Sequence, residues 1–528
     1  MPQKFFAYLT QPNTVACDMA GNVRLILQAA QRAHAGGAVL MMTPAHSVTG
    51  APLHTWTQMP DFWIALNREL EQLAADLKTA APGLTVVVGA PAYEKGEILD
   101  ALYVLRDGGL LARATRGAAK LTVIDVAGVA TGFVFAEELL DEKGIGSLKA
   151  LGATLVCAAD DEPYTRGVSR ARRGEIAAAC AKEFLPLILA NLAGGQDELI
   201  FEGASLVSAS NTHVTVRLAS FAADEAGIPA SALFGDDDGV VETFADGREE
   251  LLAALVCGVR DYTRKNGFTD VLLGLSGGAD SALVAAIAVE ALGKEHVHAV
   301  MMPARFTTDL SVRLAKECGE NLGIDYRVKP VGAIYDAALS VLSEDFAGTA
   351  SDLTEENLQA RSRGITLMAL SNKFGWLTLA TGNKSEASAG YCTLYGDTVG
   401  GYSPIKDVFK TEVWELMRTY NRLKGAAVIP EEIITRAPSA ELSHGQTDEA
   451  ALMPYAELDA ILRGLLEEGE SVESLADKGL GREKVERVLK LFYRSEFKRR
   501  QCPTGPRVSL TCLGAGVSLP MTSRPSFP

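Results

Sequence analysis

One stretch, DVLLGLSGGADSALVAAIAVEAL at residues 270–292, constrains the fold more than any other. A short apolar strand runs into Ser276-Gly277-Gly278-Ala279-Asp280-Ser281, and an apolar helix opens at about Ser281. The two glycines let the backbone turn tightly and approach a ligand closely. The free N–H groups and the positive dipole end of the helix then form an anion site that suits phosphate. An α/β unit with a phosphate-binding turn is therefore predicted here.

Asp280 is unusual in an anion site, because its charge repels phosphate. A divalent cation between the two removes that conflict, so Mg²⁺ is expected. Thr381 and Glu386 follow the strand WLTLAT, at the carboxyl end of the predicted sheet, where open α/β folds bind ligands. Glu386 can share the ion with Asp280. Lys406 and Lys410 can supply positive charge for phosphate oxygens.

The turn resembles the SGGxDS signature of the ATP pyrophosphatases, which cleave ATP between its α and β phosphates. It is not a Walker A loop, because no Gly-Lys-Ser/Thr follows. The stretch LTLATGNKSEASAGYCTLYGDTVGGYSPIKDVFKTEVWEL at 377–416 closely resembles the synthetase domain of NAD synthetases, particularly the long, glutamine-dependent form. TEENLQARSRG (354–364) and FKRRQCPTGP (497–506) are similar to other parts of that family. The resemblance covers residues 250–508.

The resemblance implies a Rossmann-like ATP pyrophosphatase domain with a parallel sheet. It implies amidation of deamido-NAD to NAD through an NAD-adenylate, with release of AMP and pyrophosphate. Asp280 and Glu386 are implied to hold Mg²⁺, and Asp280 and Lys410 to be catalytic. The residues implied to bind ATP are Gly274, Leu275, Ser276, Gly277, Gly278, Ala279, Asp280, Ser281 and Thr381. Those implied to bind deamido-NAD are Asn357, Glu386, Asp397 and Lys498.

The N-terminal part of the chain alternates helical and strand patterns, which argues for a layered α/β domain. Residues 4–215 resemble the nitrilase-like glutaminase domain of the long NAD synthetases. The hairpin YVLRDGGLLAR and the segment LANLAGGQDELIFEGASLV fall in family order. The resemblance implies an α-β-β-α sandwich with a Glu–Lys–Cys triad that hydrolyses glutamine and supplies ammonia to the synthetase.

The three triad positions do not match the family. Ala45 stands at the glutamate base, and Arg116 occupies the lysine position, with Lys120 nearby. The elbow GFVFAEE at 132–138 carries Ala136 where the family has its cysteine. An alanine cannot attack a carbonyl, and arginine stays charged and transfers protons poorly. An inactive glutaminase domain is therefore expected, with ammonia as the direct nitrogen source.

Two alternatives stay open. Glutamine is still used if another residue supplies the nucleophile, and the candidates are Cys157 on the next strand and His46 beside the empty base position. Otherwise the chain is a non-catalytic regulatory or assembly partner of an active paralogue, although the intact turn at 276–281 argues against this.

Net charge, apolar runs and cysteine spacing indicate which classes of protein the sequence does not fit. A net charge of −16 disfavours a nucleic-acid-binding surface. No apolar run approaches the ~18 residues of a membrane span, and no secretory signal is evident. The eight cysteines form no CxxC pair, which favours reduced thiols in the cytoplasm. We expect domains at 1–222 and 249–508, a linker at 223–248 and an irregular tail at 509–528. The family resemblance suggests a homodimer or larger homo-oligomer.

Overall fold

The computed structural model describes residues 5–118, 121–235, 239–245, 247–446, 448–514 and 516–523. The chain divides into two compact units, Met1–Phe244 and Ala245–Pro528. None of the helices in the described ranges combines the length and the apolar character needed to span a membrane.

The first unit is built from two six-stranded sheets, a two-stranded sheet and the helices between their strands. Its strands are β1 (Phe6–Gln11), β2 (Leu40–Met42), β3 (Thr85–Glu94), β4 (Glu97–Arg106), β5 (Gly109–Thr115), β6 (Thr122–Val126), β7 (Val129–Phe135), β8 (Leu155–Asp160), β9 (Leu187–Asn191), β10 (Ala193–Gln196), β11 (Leu199–Glu202), β12 (Leu206–Ser208), β13 (Val214–Arg217) and β14 (Asp224–Pro229). Its helices are α1 (Met19–Ala35), α2 (Pro60–Ala80), α3 (Glu142–Ala150), α4 (Val168–Lys182) and α5 (Ala230–Phe234). The sheet orders are β14-β1-β2-β3-β4-β5 and β13-β12-β9-β8-β7-β6, and β10 pairs with β11.

The alternation of side chains along the strands sorts them between an inner core and two outer faces. In β3, Val87 points into the layer between the sheets, whereas Val86 and Val88 pack against α1 and α2. In β7, Phe133 points inward and Val134 packs on the side of α3 and α4. The unit is therefore a four-layer α-β-β-α sandwich, and the expected nitrilase-like fold is confirmed.

The segment expected to be a linker takes part in this sandwich. Residues 224–229 form β14, which pairs antiparallel with β1 from Phe6↔Pro229 to Gln11↔Asp224. The guanidinium of Arg32 also contacts the carboxylate of Glu225. The sequence DEAGIP has little intrinsic strand propensity. Its strand character comes from the open edge of β1, which a reading of local sequence does not reveal.

The second unit contains one small parallel sheet surrounded by helices. Its strands are β15 (Val271–Gly274), β16 (Val297–Met301), β17 (Asp325–Val328) and β18 (Leu377–Thr378), in the order β17-β16-β15-β18. Its helices are α6 (Gly247–Lys265), α7 (Ala279–Leu292), α8 (Asp309–Leu322), α9 (Gly332–Val341), α10 (Leu353–Phe374), α11 (Lys384–Ala389), α12 (Lys410–Lys424), α13 (Glu431–Thr435), α14 (Asp448–Ala451), α15 (Tyr455–Leu466), α16 (Val472–Leu475), α17 (Arg482–Arg494) and α18 (Glu496–Arg499).

The sheet order places the predicted turn at the end of an inner strand of this sheet. β15 pairs in parallel with β16 on one side and with β18 on the other. The carboxyl ends of these strands therefore share one edge, from which the turn at 275–278 and the residues after β18 both project. The expectation of a Rossmann-like domain with a parallel sheet is confirmed.

The start of the C-terminal tail is held by a buried aspartate. The carboxylate of Asp407 accepts hydrogen bonds from the backbone N–H groups of Val508 (2.9 Å) and Ser509 (2.8 Å). Within 509–514 and 516–523 the chain forms an isolated bridge between Leu513 and Val517 but no helix or strand.

Candidate active site

The turn between β15 and α7 adopts a conformation that strongly favours glycine at one position. Gly277 has φ +79°, and a Cβ there would lie 2.4 Å from the backbone oxygen of Ser311. Gly278 caps α7, which begins at Ala279, slightly before the predicted start at Ser281. The unpaired N–H groups of the first helical turn therefore lie beside this loop.

The two serine hydroxyls of the turn bind each other. Ser276 Oγ lies 3.1 Å from Ser281 Oγ, and the backbone N–H of Ser276 donates to Ser281 Oγ at 3.2 Å. Ser281 is buried and its hydroxyl also donates to the carbonyl of Gly278. Ser276 is exposed. Ser281 therefore shapes the turn from inside, and Ser276 is the hydroxyl that faces outward.

A cavity of about 470 Å³ opens beside the turn. Its volume lies within the usual range of small-molecule sites. The predicted residues that line it are Gly274, Leu275, Ser276, Gly278, Ala279, Asp280, Asn357, Thr381, Glu386, Asp397, Lys410 and Lys498. The two other predicted ATP contacts, Gly277 and Ser281, are buried and do not line the cavity. The structure thus brings together residues that lie far apart in the sequence.

Lys410 lies between the two carboxylates expected to hold a metal ion. Its Nζ contacts Asp280 Oδ2 and lies 3.5 Å from Glu386 Oε1. Burial lowers the pKa of Lys410, but the charges of Asp280 and Glu386 outweigh burial and raise it. Burial, reinforced by the charge of Asp280, raises the pKa of Glu386 to about 8. One ammonium group thus serves two carboxylates, and it leaves their negative charge only partly balanced.

This donor set fits a magnesium ion. Mg²⁺ prefers oxygen ligands and is usually bound by one or two carboxylates together with substrate phosphates. Two carboxylates face the single ammonium group of Lys410, which leaves an excess of negative charge that a divalent cation would offset. Asp448, whose charge also acts on Lys410, adds to that excess. Asp280 and Glu386 would hold the ion.

Of the four residues expected to contact deamido-NAD, Glu386 lies beside Lys410, and the other three lie around one loop that also lines the cavity. Asn357 Oδ1 accepts a hydrogen bond from Thr393 Oγ1 at 2.8 Å, and Asp397 Oδ1 accepts one from the Thr393 backbone N–H at 2.6 Å. Burial raises the pKa of Asp397 to about 6. Lys498 Nζ donates to the carbonyl oxygen of Cys392 at 2.7 Å. The loop around Thr393 therefore organises this group.

Lys406 does not take the role expected from the sequence. Its Nζ donates to the carbonyl oxygen of Pro503 at 2.8 Å, and it belongs to the contacts that fix the C-terminal segment. Of the two lysines, Lys410 is the one that lines the cavity. Spacing in a motif does not reveal which of two lysines points inward.

Several residues of the site were not singled out from the sequence. Arg436 donates to Ser311 Oγ at 3.0 Å and to Glu441 Oε1 at 3.1 Å, and all three line the cavity. Asn383 caps α11 and contacts Asp280. The pattern Asn-x-x-Glu, here NKSE, is a capping-box signature that could have placed a helix start at this position.

In the first unit, the predicted elbow is present and carries a methyl group. β7 ends at Phe135, and Ala136 opens a short 3₁₀ helix, Ala136–Leu139. Ala136 and Ala45 are both 0% exposed. A methyl group has no lone pair with which to attack a carbonyl or accept a proton. Lys120, the lysine near Arg116, lies outside the described residues.

Arg116, at the lysine position, is held by three carboxylates. Its guanidinium lies 3.2 Å from Asp100, 2.8 Å from Glu137 and 2.7 Å from Asp161. Its Cζ also lies 4.4 Å from the centre of the Phe135 ring. Burial lowers the pKa of Arg116, but these carboxylates, chiefly Asp161, raise it overall. The guanidinium therefore stays charged and cannot act as a base.

His46, next to Ala45, completes this cluster. Its Nε2 lies 3.1 Å from Asp100 Oδ1 and 3.4 Å from Asp161 Oδ2. Burial lowers the pKa of His46, but the hydrogen bond to Asp100 and the charge of Asp161 outweigh burial and raise it. His46 and Arg116 thus share two carboxylates. We call the set His46, Asp100, Arg116, Glu137 and Asp161 the ion-pair network.

Cys157 is a residue of the apolar core. It lies within β8, is 0% exposed and belongs to the apolar layer between the two sheets. Burial raises the pKa of its thiol. A nucleophilic cysteine needs access and a stabilised thiolate, and Cys157 has neither.

Comparison with known proteins places both units in one family. The NAD synthase family model matches residues 251–502. The glutamine-dependent NAD(+) synthetase of Rhodobacter capsulatus is 36% identical over 559 residues, with 99% of each chain covered. That of Thermotoga maritima is 34% identical, with 98% of each chain covered. The solved structure of the glutamine-dependent NAD⁺ synthetase from Acinetobacter baumannii in complex with ADP is 33% identical, covers 98% of both chains and gives a TM-score of 0.78. With a nitrilase-like unit followed by a parallel-sheet unit that carries the phosphate turn, the chain belongs to the glutamine-dependent NAD(+) synthetase family of ligases.

Proposed function

We propose that this NAD synthetase takes ammonia directly and that its first unit does not hydrolyse glutamine. The proposal rests on a contrast between the site of the second unit and the elbow of the first unit. The cavity of the second unit has its phosphate turn and the cluster of Asp280, Glu386 and Lys410. The elbow of the first unit has Ala136 where a thiol is needed.

ATP binding follows from the turn at 275–278. The N–H groups at the start of α7 and the positive end of its dipole suit phosphate oxygens. Ser276 and Thr381 line the same cavity and offer hydroxyl groups. The Acinetobacter baumannii relative, which was solved with ADP, supports a nucleotide site in this family.

The proposed reaction has two displacements. A carboxylate oxygen of deamido-NAD attacks the α-phosphorus of ATP, the bond to the β-phosphate oxygen breaks, and pyrophosphate leaves. Ammonia then attacks the acyl carbon, the bond to the AMP oxygen breaks, and the new amide gives up a proton to solvent. Both steps depend on positioning and charge neutralisation more than on proton transfer.

Lys410 and the acidic pair provide that neutralisation. The buried ammonium group of Lys410 faces Asp280 and Glu386 inside the cavity, where it is within the region that phosphate oxygens would enter. Held by the two carboxylates, Mg²⁺ would supply further positive charge against the phosphates. Asn357, Asp397 and Lys498 line the part of the cavity assigned to deamido-NAD.

The first unit lacks each chemical part of a glutaminase. Ala136 has no nucleophile, Ala45 has no base, and Arg116 is fixed in the ion-pair network with its pKa raised. Cys157 cannot replace the missing thiol because it is buried in the core. The unit would then serve folding, assembly or regulation.

Glutamine dependence is the second candidate, and one observation favours it. The full-length relatives carry that name, at 36% identity for Rhodobacter capsulatus. On this alternative, a group other than a residue at position 136 activates glutamine. A non-catalytic role for the whole chain is the third candidate, and failure of the chain to bind ATP in calorimetry would favour it.

The test compares ammonium with glutamine as the nitrogen source for the purified full-length chain, with deamido-NAD, ATP and Mg²⁺ present. We expect NAD formation with ammonium, and with glutamine neither NAD nor free glutamate above the background of a reaction without the protein. Glutamine-driven turnover with matching glutamate release would contradict the proposal. In that case Cys157→Ala shows whether that thiol is responsible, since the substitution would then abolish glutamate release.

A further inference from the structure

Asn383 joins the two carboxylates of the cavity through a single amide. Its Nδ2 donates to Asp280 Oδ1 at 2.9 Å, and its Oδ1 accepts from the backbone N–H of Glu386 at 3.0 Å. The residue is 0% exposed. Both polar ends of one buried side chain are therefore used on the two expected metal ligands.

We propose that Asn383 is a positioning residue that fixes the carboxylate of Asp280 relative to that of Glu386, so that the pair binds one divalent cation together with ATP. The inference rests on the proposed function, because it concerns the ion expected at that site. It assigns a task to a residue that touches neither substrate nor the reacting atoms.

The contacts of Asp280 support this role. Asn383 Nδ2 approaches Oδ1, and Lys410 Nζ approaches Oδ2. Each carboxylate oxygen thus has a donor from a different segment of the chain, and rotation of the carboxylate would break both contacts. Metal-binding carboxylates are commonly oriented by such outer hydrogen bonds.

Glu386 is fixed by the same residue in a second way. Asn383 and Glu386 form a capping box at the start of α11, in which Glu386 Oε2 accepts from the Asn383 backbone N–H at 3.4 Å. This contact directs the other oxygen, Oε1, toward Lys410. Asn383 therefore acts on the backbone and on the side chain of Glu386.

Helix capping alone does not require an asparagine here. Serine, aspartate and asparagine cap helices about equally well. An ionised aspartate has no hydrogen to donate to Asp280, whereas the amide of Asn383 accepts a hydrogen bond from Glu386 and donates one to Asp280 at the same time. A serine can accept from the Glu386 N–H, but its side chain is too short to reach Asp280 as well. Asn383→Ser therefore keeps the bond that caps the helix and loses the bond that positions Asp280.

The experiment measures metal binding rather than turnover. Binding of Mn²⁺ to the full-length chain, saturated with α,β-methylene ATP, is followed by the electron paramagnetic resonance signal of free Mn²⁺. Asn383→Ser, Asn383→Ala and the surface control Asn321→Ser are compared with the unchanged chain, and the Tm of each is recorded. Loss of an outer hydrogen bond typically weakens metal binding by ~10–100-fold.

We expect Asn383→Ser, which keeps the helix cap, to lower the Tm less than Asn383→Ala does, and to bind Mn²⁺ at least about tenfold more weakly than the unchanged chain. Asn383→Ala should weaken Mn²⁺ binding as well, and Asn321→Ser should change neither the Tm nor Mn²⁺ binding. Equal Mn²⁺ binding by Asn383→Ser and the unchanged chain would overturn the inference and leave only a helix cap. Absence of Mn²⁺ binding by the unchanged chain would overturn both the inference and the expected ion. Ammonium-dependent NAD synthesis, measured separately, tests the proposed function.

Discussion

Lys384 and Asp407 form an ion pair from which water is excluded: Nζ lies 2.9 Å from Oδ1, and both side chains are 0% exposed. Lys384 also donates to Glu467 at 2.9 Å and to Ser509 Oγ at 3.0 Å. Because Lys384 opens α11, the pair ties the helix that carries Glu386 to the start of the C-terminal tail.

Lys384→Met should destabilise the second unit strongly. The variant leaves Asp407 and Glu467 without their shared cation, and removing one partner of a buried pair typically costs about 3–5 kcal/mol. Urea unfolding of the full-length chain measures the change. Lys478→Met is the control, because Lys478 pairs with Glu470 at the surface, where ion pairs contribute little. If both variants lost the same free energy of unfolding, the burial of Lys384 would not contribute to stability.

Ser509→Ala should lower stability by a smaller amount. Its hydroxyl lies 2.9 Å from Asp407 and 3.0 Å from Lys384, and loss of hydrogen bonds to charged groups costs about 1.5–3 kcal/mol. Differential scanning fluorimetry checks the Tm. Ser343→Ala is matched to it, because Ser343 is exposed and its hydroxyl donates to the nearby backbone carbonyl of Ser340. An unchanged Tm for Ser509→Ala would mean that the tail does not stabilise the site.

The ion-pair network should give the first unit a measurable pH dependence. The pKa of His46 is raised in the folded state, so its contribution is present below the unfolded value of about 6.5 and is lost as the pH rises through the folded value. The Tm difference between the unchanged chain and His46→Gln should therefore be larger at acid than at alkaline pH. His34→Gln, at an exposed position, should show no such trend. If the Tm difference between the unchanged chain and His46→Gln grew with pH, the raised pKa of His46 in the folded state would be contradicted.

Ala136→Cys alone should not restore glutamine use. The new thiol would lie beside Phe135 and Arg116 without the glutamate that Ala45 replaces, and a nucleophile without a base is weakly activated. Glutamate release from glutamine measures the outcome, with Ala45→Glu/Arg116→Lys/Ala136→Cys as the matched comparison. Glutaminase activity in the single variant would show that another group already acts as the base.

Lys410→Met should abolish most NAD synthesis from ammonium. The substitution removes a cation that contacts both Asp280 and Glu386, and the loss of one electrostatic contact at a reacting centre typically lowers kcat by ~10²–10³-fold. Lys424→Met, which breaks a partly exposed pair with Glu290, serves as the control. Retention of the normal kcat by Lys410→Met would remove Lys410 from the proposed mechanism.

The sequence predicted those features that local patterns encode. The strand, glycine turn and helix at 270–292 appear as β15 and α7, and the Asp-Gly-Gly hairpin appears as β4 and β5. Periodicity and turn chemistry act over a few residues, so they can be identified without a structure. The family motifs then located Asp280, Glu386 and Lys410 around one cavity.

Features that depend on distant partners could not be predicted in this way. β14 exists because β1 offers an open edge. The burial of Lys384 depends on Asp407, Glu467 and the tail, which no local pattern connects. The contact of His46 with Asp161 joins the segments that follow β2 and β8, which belong to two separate sheets.

On the proposal that the first unit has lost its amidase chemistry, the ion-pair network would make a return to that chemistry difficult. A chain that regained a thiol at position 136 would still carry Arg116, and one that replaced Arg116 by lysine would weaken the contacts to Asp100, Glu137 and Asp161 before gaining any activity. Each of these single substitutions would therefore give a protein with no more amidase activity, and the substitution of Arg116 would also lower its stability. The network would therefore oppose reversion, because the contacts that now stabilise the unit would have to be lost before amidase activity could return.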